Sequence, residues 1–297
     1  MCDFVRKRLG IICSLFVIVL LLGACGTNGD GNSESAGNDK TWEKIQESGK
    51  LVVGTSGTLF AASYYPDGSD ELTGYDVEVI REIAKRLDLK VEFKTSDFNN
   101  MLASVQNGRI DVAANDIEIT DERKEQFAFS EPYKYSYTSM IVRKDDLSGI
   151  HSLADLKGKR AGGEASTNHS KVAEQLGAEV VTYSNATNDV YLRDVDNGRT
   201  DLIINDYYLQ SLALQAFPDF NIMIHPDFKF DQIEQGAILS KDAPELKKQM
   251  DKALNEMKED GTLSKLSEEF YGGADVSQKP DEELPTVDEL LEQEGNK

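Results

Sequence analysis

The chain has 297 residues, of which 39% are hydrophobic and 29% are charged, as in a globular protein of one large domain or two ordinary domains. Its formal net charge of −21 argues against binding to nucleic acid, which needs a basic surface. The same charge argues against adhesion to an anionic membrane through the protein's own side chains.

Residues 1–24 are predicted to be a lipoprotein signal peptide. Basic residues at 6–8 precede an apolar run over 11–22, which is too short to span a bilayer comfortably and suits the core of a signal peptide. Leu22-Gly23-Ala24-Cys25 then resembles the bacterial lipobox, which implies cleavage before Cys25 and attachment of diacylglycerol to its sulfur. An ordinary signal peptide or a short anchor helix is the alternative.

The segment after the lipobox is rich in Gly, Ser, Asn and acidic residues, so residues 25–41 are predicted to be a flexible tether. The other two cysteines, Cys2 and Cys13, lie in the segment that would be removed. The mature chain would therefore keep one cysteine and form no internal disulfide. Lipid on that cysteine would hold the protein on the extracytoplasmic face of the cell membrane.

Apolar runs and amphipathic segments alternate along the next part of the chain. Leu51–Thr55 and Lys90–Phe93 are predicted to be strands, and a helix between them has apolar positions from Val77 to Leu87 at helical spacing. A second helix is predicted at Phe98–Gln106, directly before a segment that occurs twice in the chain.

The repeated segment is Asn107–Asp116, which returns as Asn197–Asp206. Each copy has an Asn-Gly suited to the left-handed end of a helix, then an apolar run that reads as a buried parallel strand, then an Asn-Asp pair. Ligands of open α/β sheets bind beyond the carboxyl ends of the strands. The repeat therefore predicts two similar lobes with a site between them, to which the copies contribute the pairs Asn115-Asp116 and Asn205-Asp206. A chance match of common helix-to-strand residues is the alternative.

The second half of the chain continues the alternation. Ala165–His169 opens a predicted helix whose free N–H groups could bind a carboxylate. Strands are predicted at residues 138–142, 180–183 and 222–224, the run 236–239 is expected to return to the first lobe, and helices follow at 243–259 and 261–271. Residues 274–297 combine acids with prolines and are predicted to be a disordered acidic tail, with a helical turn at 287–291.

Six short motifs fall in one order along residues 42–273. They are Leu72–Val79, Gly108–Asp111, Ile119–Lys124, Phe129–Tyr133, Leu153–Lys159 and Glu259–Leu263. Together they resemble the polar-amino-acid family, family 3, of extracytoplasmic solute-binding proteins, which serve ATP-binding-cassette importers. The Asn115-Asp116 pair and the Glu-Asp-Gly-Thr-Leu segment look most like the cystine-binding branch.

The resemblance implies an α/β, two-lobed, periplasmic-binding-protein-like (type II) fold. Each lobe would be a mixed sheet flanked by helices, and two crossing strands would join the lobes as a hinge. Lobe 1 would comprise residues 42–135 plus 235–273, and lobe 2 residues 136–234. The lobes of such a monomer close on an amino acid, with no cofactor and no catalysis, and the closed form docks on a membrane permease.

The resemblance also implies roles for particular residues. Arg123 matches the arginine that grips the ligand α-carboxylate, a task suited to its planar fork of donors. Thr167 and Asn168 match the helix start that shares this carboxylate. Asp206 matches the acid that takes the α-ammonium group, and Phe98 matches an aromatic wall of the side-chain pocket.

Several positions depart from the family pattern. Asp116 and Glu118 stand where the family often has a small residue and a hydroxyl, Ser56 replaces a frequent acid, and Glu164 replaces an occasional lysine. Acids near the cleft would favour a ligand with a second cationic group, such as cystine or a diamino compound. Alternatively, Glu118 shares Arg123, or the acids face solvent.

Two other functions compete with a binding protein. An enzyme on the same scaffold, similar to a dehydratase, could use Glu118 or Glu164 as a general acid. A ligand-sensing partner of a receptor is the other alternative. Since no paired nucleophile and base, metal-spaced His/Cys cluster or phosphate loop is evident in the sequence, we expect a non-enzyme.

Overall fold

The computed structural model describes residues 40–281 and 283–295. The predicted signal peptide, Cys25 and most of the predicted tether lie outside these residues. The tether prediction is wrong at its end, because Lys40 and Thr41 already belong to a helix. Within the described ranges, no helix combines the length and the apolar character needed to cross a membrane.

Ten α-helices are found in the described part of the chain: α1 (Lys40–Ser48), α2 (Tyr75–Arg86), α3 (Phe98–Gln106), α4 (Asp121–Gln126), α5 (Asn168–Gln175), α6 (Asn188–Asp196), α7 (Tyr207–Ala216), α8 (Pro244–Glu259), α9 (Thr262–Phe270) and α10 (Val287–Gly295). Two short 3-10 helices lie at Leu147–Gly149 and Leu153–Leu156.

The strands of the described residues are β1 (Lys50–Thr55), β2 (Thr58–Leu59), β3 (Ser63–Tyr64), β4 (Lys90–Thr95), β5 (Val112–Ala113), β6 (Ala128–Phe129), β7 (Lys134–Arg143), β8 (Arg160–Glu164), β9 (Glu179–Tyr183), β10 (Ile203–Asp206), β11 (Ile222–Gln235) and β12 (Ile238–Leu239).

Each lobe is built on its own sheet. In lobe 1 the strand order is β4-β1-β5-β12-β6, with β1 parallel to both neighbours and β12 antiparallel to both of its neighbours. In lobe 2, β10-β7-β11 form an antiparallel sheet, and a parallel bridge between Ala161 and Leu202 joins the β8-β9 pair to it. This arrangement of mixed sheets and helices is the α/β fold predicted from the sequence.

Two long strands connect the lobes. β7 and β11 are antiparallel neighbours from Lys134 opposite Gln235 at one end to Arg143 opposite Ile222 at the other. The lobe-1 end of this ribbon is held by backbone hydrogen bonds from Ile119 N to Glu234 O and from Gly236 N to Ile117 O. Side chains at the start of β7 therefore lie at the junction of the two lobes.

The repeated segment forms the same local structure twice. Gly108 and Gly198, after α3 and α6, both have a φ of 69°, a conformation that favours glycine. A few residues later, Asp111 accepts a hydrogen bond of 2.9 Å from Val52 N in β1, and Asp201 accepts one of 2.9 Å from Arg160 N in β8. Each copy thus connects the end of a helix to the neighbouring strand by a hydrogen bond. The Asn-Asp pair that ends each copy follows this contact.

Gly74 places α2 against the β2–β3 hairpin. Its φ is 125°, and a Cβ atom there would lie 2.4 Å from the carbonyl oxygen of Ala62. Because glycine allows this approach, Tyr75 N and Asp76 N donate to the carbonyl oxygens of Ala61 and Ala62 and begin the helix. The Gly-Tyr-Asp part of the motif Leu72–Val79 is therefore required by the backbone geometry and also belongs to the residues that resemble the family.

The C-terminal segment is ordered, so the prediction of a disordered acidic tail is wrong for the described residues 274–281 and 283–295. This C-terminal strap leaves lobe 1 with Val276 buried in the core of that lobe. The carbonyl oxygen of Pro285 in the strap then accepts a hydrogen bond from Asp231 N of β11. Beyond this contact the strap reaches lobe 2, where Val287, Leu290 and Leu291 pack on the core. The predicted helical turn lies within α10.

Tyr135 N, at the lobe-1 end of β7, donates to the carbonyl oxygen of Val276 in the strap at 2.7 Å. Lys279 forms an ion pair of 2.8 Å with Glu234, and Asp231 accepts from Val287 N at 2.9 Å. The strap therefore runs along both crossing strands and contacts both lobes. Its apolar residues are few, but Val276, Val287, Leu290 and Leu291 pack on the cores of the lobes, which average composition does not reveal.

A chain that ends at Gly273 should be less stable than the full chain. Loss of the buried Val276 and Val287 alone should reduce the free energy of unfolding by about 2 kcal/mol or more. Urea unfolding followed by circular dichroism measures this. A full-length control with Asp281→Asn and Glu283→Gln changes exposed strap charges and should shift the free energy by about 0.5 kcal/mol at most. Equal stability of the truncated and full chains would contradict a packed strap.

Candidate ligand-binding site

A cavity of about 130 Å³ lies between the lobes, at the ends of the repeated segments. All side chains predicted to bind ligand, except Asp206, line it: Ser56, Phe98, Asn115, Asp116, Glu118, Arg123, Glu164, Thr167 and Asn168. The tertiary structure thus brings together residues from separate parts of both lobes. Their roles in binding remain predictions.

The lobes meet across the cavity in a closed arrangement. Thr58 Oγ1 donates to Asn185 Oδ1 at 3.2 Å, Phe60 N to Asn188 Oδ1 at 2.9 Å, and Phe98 N to Glu164 Oε1 at 3.1 Å. Lys171 of lobe 2 also forms an ion pair with Glu122 of lobe 1. These contacts enclose the cavity, so charged groups inside it interact at a lower dielectric than in water.

Arg123 is the cation on the lobe-1 wall. Thr120 caps α4 by accepting from Arg123 N, which fixes the backbone from which the side chain extends. The guanidinium lies over the ring of Phe98, 5.1 Å from its centroid, and Nη1 donates to the carbonyl oxygen of Glu118 at 2.8 Å. Because a guanidinium has five N–H donors, this single bond leaves donors for a ligand carboxylate.

Glu118 is the acid beside Arg123. Its Oε2 atom is buried and has no hydrogen-bond partner among the described residues. Burial raises the pKa of Glu118 to about 7, although Arg123 and a hydrogen bond from Asn168 lower it. Glu118 therefore retains part of its proton at neutral pH, and a cationic or donating group placed at Oε2 would stabilise its charged form.

The lobe-2 wall includes the start of α5. Thr167 caps this helix by accepting from Ser170 N at 3.2 Å, so Asn168 and His169 occupy its first turn. His169 lines the cavity, and burial lowers its pKa to about 4, which keeps the imidazole neutral at neutral pH. The positive end of the helix dipole favours an anionic group here.

Two predicted residues organise the wall through backbone contacts. Asn115 Oδ1 accepts from Ser56 N at 2.8 Å and from Thr55 Oγ1 at 3.1 Å, which joins the end of β1 to the repeat of lobe 1. Glu164 accepts from Phe98 N, and burial raises its pKa. Glu164 thus contributes to lobe closure as well as to the cavity wall.

An ion-pair cluster lies at the base of the cavity, where β7 leaves lobe 1. Lys134 Nζ is 2.6 Å from Asp116 Oδ1 and 3.0 Å from Asp206 Oδ2, and the Lys134 side chain is 0% exposed. Although burial opposes its charge, the two carboxylates raise the pKa of Lys134. This hinge cluster, defined as Lys134, Asp116 and Asp206, joins lobe 1, the crossing strand and lobe 2.

The two acids of the hinge cluster differ in charge. Burial raises the pKa of Asp116 to about 8, with Lys134 opposing the rise and Asp206 adding to it. Burial also acts on Asp206, but the nearby Lys134 ammonium and hydrogen-bond donors hold its pKa below the usual value. One buried cation is thus balanced mainly by Asp206 at neutral pH.

Asp206 is the one predicted ligand-binding residue that does not line the cavity. This residue is 0% exposed and lies behind the cavity wall, where it caps α7 by accepting from Leu209 N at 2.9 Å. Its other oxygen accepts from Lys134 and from the Gln235 amide. Asp206 therefore already has a cationic partner within the protein, and its contact with a ligand ammonium group stays a prediction.

Lys134 is the important residue that the sequence interpretation missed. The predicted strand began at Thr138, whereas β7 begins at Lys134. On the longer strand, the period of two places Lys134 on the same buried face as Ser136 and Thr138. A lysine at a position on the buried face of a strand would have indicated that its charge is paired with a buried acid.

Other lining residues were also missed: Thr58, Asn188, Tyr191 and Gln210. Asn205, from the Asn-Asp pair of the second repeat, lines the cavity as well. Their polar and aromatic side chains add hydrogen-bonding groups and a second aromatic surface opposite Phe98. Within residues 40–281 and 283–295, no group of three or more His, Cys, Asp and Glu side chains is arranged to hold a metal ion. The arrangement suits a small polar molecule with a carboxylate.

The chain is similar in sequence to a family of known proteins. Residues 51–273 match the bacterial extracellular solute-binding proteins, family 3. The probable ABC transporter extracellular-binding protein YckB of Bacillus subtilis (strain 168) is 53% identical over 288 residues, covering 96% of this chain and 99% of YckB. The L-cystine-binding protein TcyA of the same strain is 37% identical over 272 residues, covering 89% of this chain and 97% of TcyA.

Solved structures agree with the sequence relatives. A crystal structure of YckB from Bacillus subtilis has a TM-score of 0.68 at 57% identity, covering 82% of this chain and 98% of that one. AbpA from Streptococcus pneumoniae, bound to L-arginine, has a TM-score of 0.71 at 30% identity, covering 80% of this chain and 100% of AbpA. The match over most of the chain confirms the family predicted from the six motifs: this chain belongs to family 3 of the bacterial extracellular solute-binding proteins.

Proposed function

We propose that this solute-binding protein captures a polar amino acid outside the membrane and delivers it to the permease of an ATP-binding-cassette importer. The observation that carries the proposal is that Arg123 and Glu118 both line an enclosed interlobe cavity, where Arg123 also donates to the backbone carbonyl oxygen of Glu118. The guanidinium offers donors to a carboxylate, and the buried Glu118 offers an acceptor to an ammonium group. An α-amino acid carries both groups on one carbon atom.

The ligand we propose is L-cystine or another amino acid with a second cationic group. The 37% identity with a protein named for L-cystine binding supports this choice. Glu164 supports it as well, because a second carboxyl lies on the opposite wall of the same cavity. Hydroxyl, amide and aromatic side chains between the two acids can bind the polar body of such a ligand.

The remaining expectations extend this proposal to the whole chain. Diacylglycerol on Cys25 would anchor a monomer to the cell membrane, and the tether would let the lobes reach the permease. Closure needs only a ligand that contacts both walls, since binding energy then favours the closed state over the open one.

A dehydratase-like enzyme on the same scaffold is the second candidate. The buried Glu118 favours it, because a carboxyl with a pKa of about 7 can act as a general acid near neutral pH. The relatives named above carry the names of binding proteins, which supports binding without turnover. Mass spectrometry of each ligand after incubation with the protein separates the two candidates, since only an enzyme converts it.

Arg123→Ala should abolish binding of L-cystine, because the ligand carboxylate would lose its guanidinium partner. Loss of a charge-assisted bidentate contact inside the cavity should weaken affinity by about a hundredfold or more. Isothermal titration calorimetry of residues 26–297 measures this, alongside a thermal-shift screen of the common amino acids and related diamines.

Arg109→Ala is the matched control for Arg123→Ala, since Arg109 is an exposed lobe-1 arginine in the first repeat. This variant should bind as the unmodified protein does. Unchanged affinity of Arg123→Ala would contradict its proposed role. If no amino acid or diamine shifts the melting temperature of the unmodified protein, the proposed ligand class is wrong.

Glu118 should make the ligand-free protein sensitive to pH. Burial raises its pKa from 4.5 to about 7, so the folded state holds this proton more tightly than the unfolded chain does. The resulting stability is complete below pH 4.5 and is lost as the pH rises from 4.5 to about 7. Relative to Glu118→Gln, the free energy of unfolding should fall by up to about 3 kcal/mol over this interval.

Chemical unfolding of both proteins at several pH values measures the difference. Glu71→Gln, which changes an exposed lobe-1 acid, should follow the unmodified protein across the whole range. A constant difference between the unmodified protein and Glu118→Gln would show that Glu118 ionises as easily in the folded protein as in the unfolded chain.

A further inference from the structure

We propose that Lys134 fills, with its own ammonium group, the cation position between Asp116 and Asp206, and that Glu118 binds the ligand's ammonium group instead. Lys134 would then be a specificity-determining residue, because it decides which carboxylate remains available to a ligand. The inference rests on the proposed amino-acid ligand, but the occupancy of the cation position by Lys134 can be tested without any amino acid.

The first step is the position of the lysine. Lys134 Nζ lies between one carboxylate of each lobe, at 2.6 Å from Asp116 and 3.0 Å from Asp206. It also lies 5.1 Å from the centre of the Tyr271 ring, which offers the cation its aromatic face. A fully buried lysine with these three neighbours is held as a fixed part of the site rather than as a mobile surface charge.

The second step is that Asp206 has little capacity left. One oxygen accepts from Leu209 N at the start of α7, and the other accepts from both Lys134 and Gln235. A second ammonium on the same carboxylate would lie close to Lys134 Nζ, and two like charges repel strongly in a buried site. The cavity wall, moreover, does not include Asp206.

The third step is the state of Asp116. This residue lines the cavity, but its Oδ1 is held by Lys134 and its backbone N–H donates to the buried Asp76 carboxylate at 3.1 Å. Its φ of 54° places the backbone in the left-handed region, so these two contacts fix an uncommon conformation. Asp116 therefore serves the hinge cluster, and its side chain orients Lys134.

The fourth step is that Glu118 has the opposite properties. It lines the cavity, and its buried Oε2 has no hydrogen-bond partner in the described part of the chain. A buried acceptor without a partner is costly unless a ligand supplies the donor. Since Arg123 bonds to the backbone of this same residue, carboxylate and ammonium groups on one ligand carbon can reach both side chains together.

The arrangement has a consequence for selectivity. Because Lys134 already supplies the positive charge between Asp116 and Asp206, the ligand does not have to place its ammonium group there. The amino acid is instead recognised through Arg123 and Glu118, near α4 and α5. Removal of the lysine should open a site for a small primary ammonium ion between Asp116 and Asp206. That site would be absent in the unmodified protein.

The first experiment uses chemical rescue of Lys134→Ala. This substitution removes the atoms of n-propylammonium, so n-propylammonium chloride should raise the variant's melting temperature in a saturable way. Sodium chloride at equal ionic strength and the unmodified protein treated with n-propylammonium are the controls, and neither should show the rise. A rise of equal size in the unmodified protein, or no rise in a folded Lys134→Ala, would overturn the assignment of Lys134.

The second experiment compares isosteric variants, each assayed at a temperature where its circular dichroism matches that of the unmodified protein. Calorimetry with L-cystine should show at least about tenfold weaker binding for Glu118→Gln, because a charge-assisted hydrogen bond is lost. Asp206→Asn keeps an oxygen for Leu209 N but removes the main counter-charge of Lys134, so it should lower the melting temperature and weaken L-cystine binding less than Glu118→Gln does. Asp201→Asn, which changes the other acid of the second repeat, is the matched control and should bind L-cystine within about threefold of the unmodified protein.

The outcomes separate this inference from the proposed function. If the unmodified protein binds L-cystine but Asp206→Asn abolishes binding and Glu118→Gln leaves it intact, the inference is wrong and the proposed function stands. If the unmodified protein does not bind L-cystine, the proposed ligand fails, while n-propylammonium rescue still decides whether Lys134 fills a cation position.

Discussion

The buried contacts of Lys134 with Asp116 and Asp206 are the interaction on which the arrangement of the lobes depends. Burial of three ionisable groups costs several kcal/mol for each unpaired charge, so the groups must remain together once they leave water. Asp116 ends the repeat of lobe 1, Asp206 ends the repeat of lobe 2, and Lys134 begins the crossing strand. The charges therefore restrict how far either lobe can shift relative to β7.

Further contacts extend this cluster into the core of lobe 1. Asp76 accepts from Tyr133 Oη at 2.5 Å and from Asp116 N at 3.1 Å, and Tyr75 Oη donates to the carbonyl oxygen of Tyr133 at 2.6 Å. The Gly-Tyr-Asp motif at the start of α2 thus contacts the hinge cluster from the core of lobe 1. The motif begins a helix and also holds the residues next to the interlobe junction in place.

The cavity above this junction combines rigidity with an unpaired buried group. Arg123 is held by a capped helix, an aromatic face and a backbone carbonyl, so its donors are oriented before a ligand arrives. Glu118, by contrast, is buried beside it without full hydrogen bonding. Such an arrangement reduces the stability of the ligand-free protein and is expected where binding, rather than folding, has determined the residue.

The sequence by itself determined the features that depend on neighbours in the chain. Asp97, Thr120 and Thr167 cap helices by accepting from a backbone N–H three residues away, and the two Asn-Gly copies end helices in the same left-handed conformation. The order of motifs then predicted the family and the α/β lobes, and all but one of the predicted site residues line the cavity.

Only the tertiary structure decided which charges meet. Lys134 and Asp206 are 72 residues apart in the sequence, yet they pair at 3.0 Å in the buried hinge cluster. The strap shows the same limit, since its acids predicted disorder while a few apolar side chains found surfaces on both lobes. Capping needs only local geometry, whereas ion pairing and burial depend on surfaces that exist after distant segments have packed.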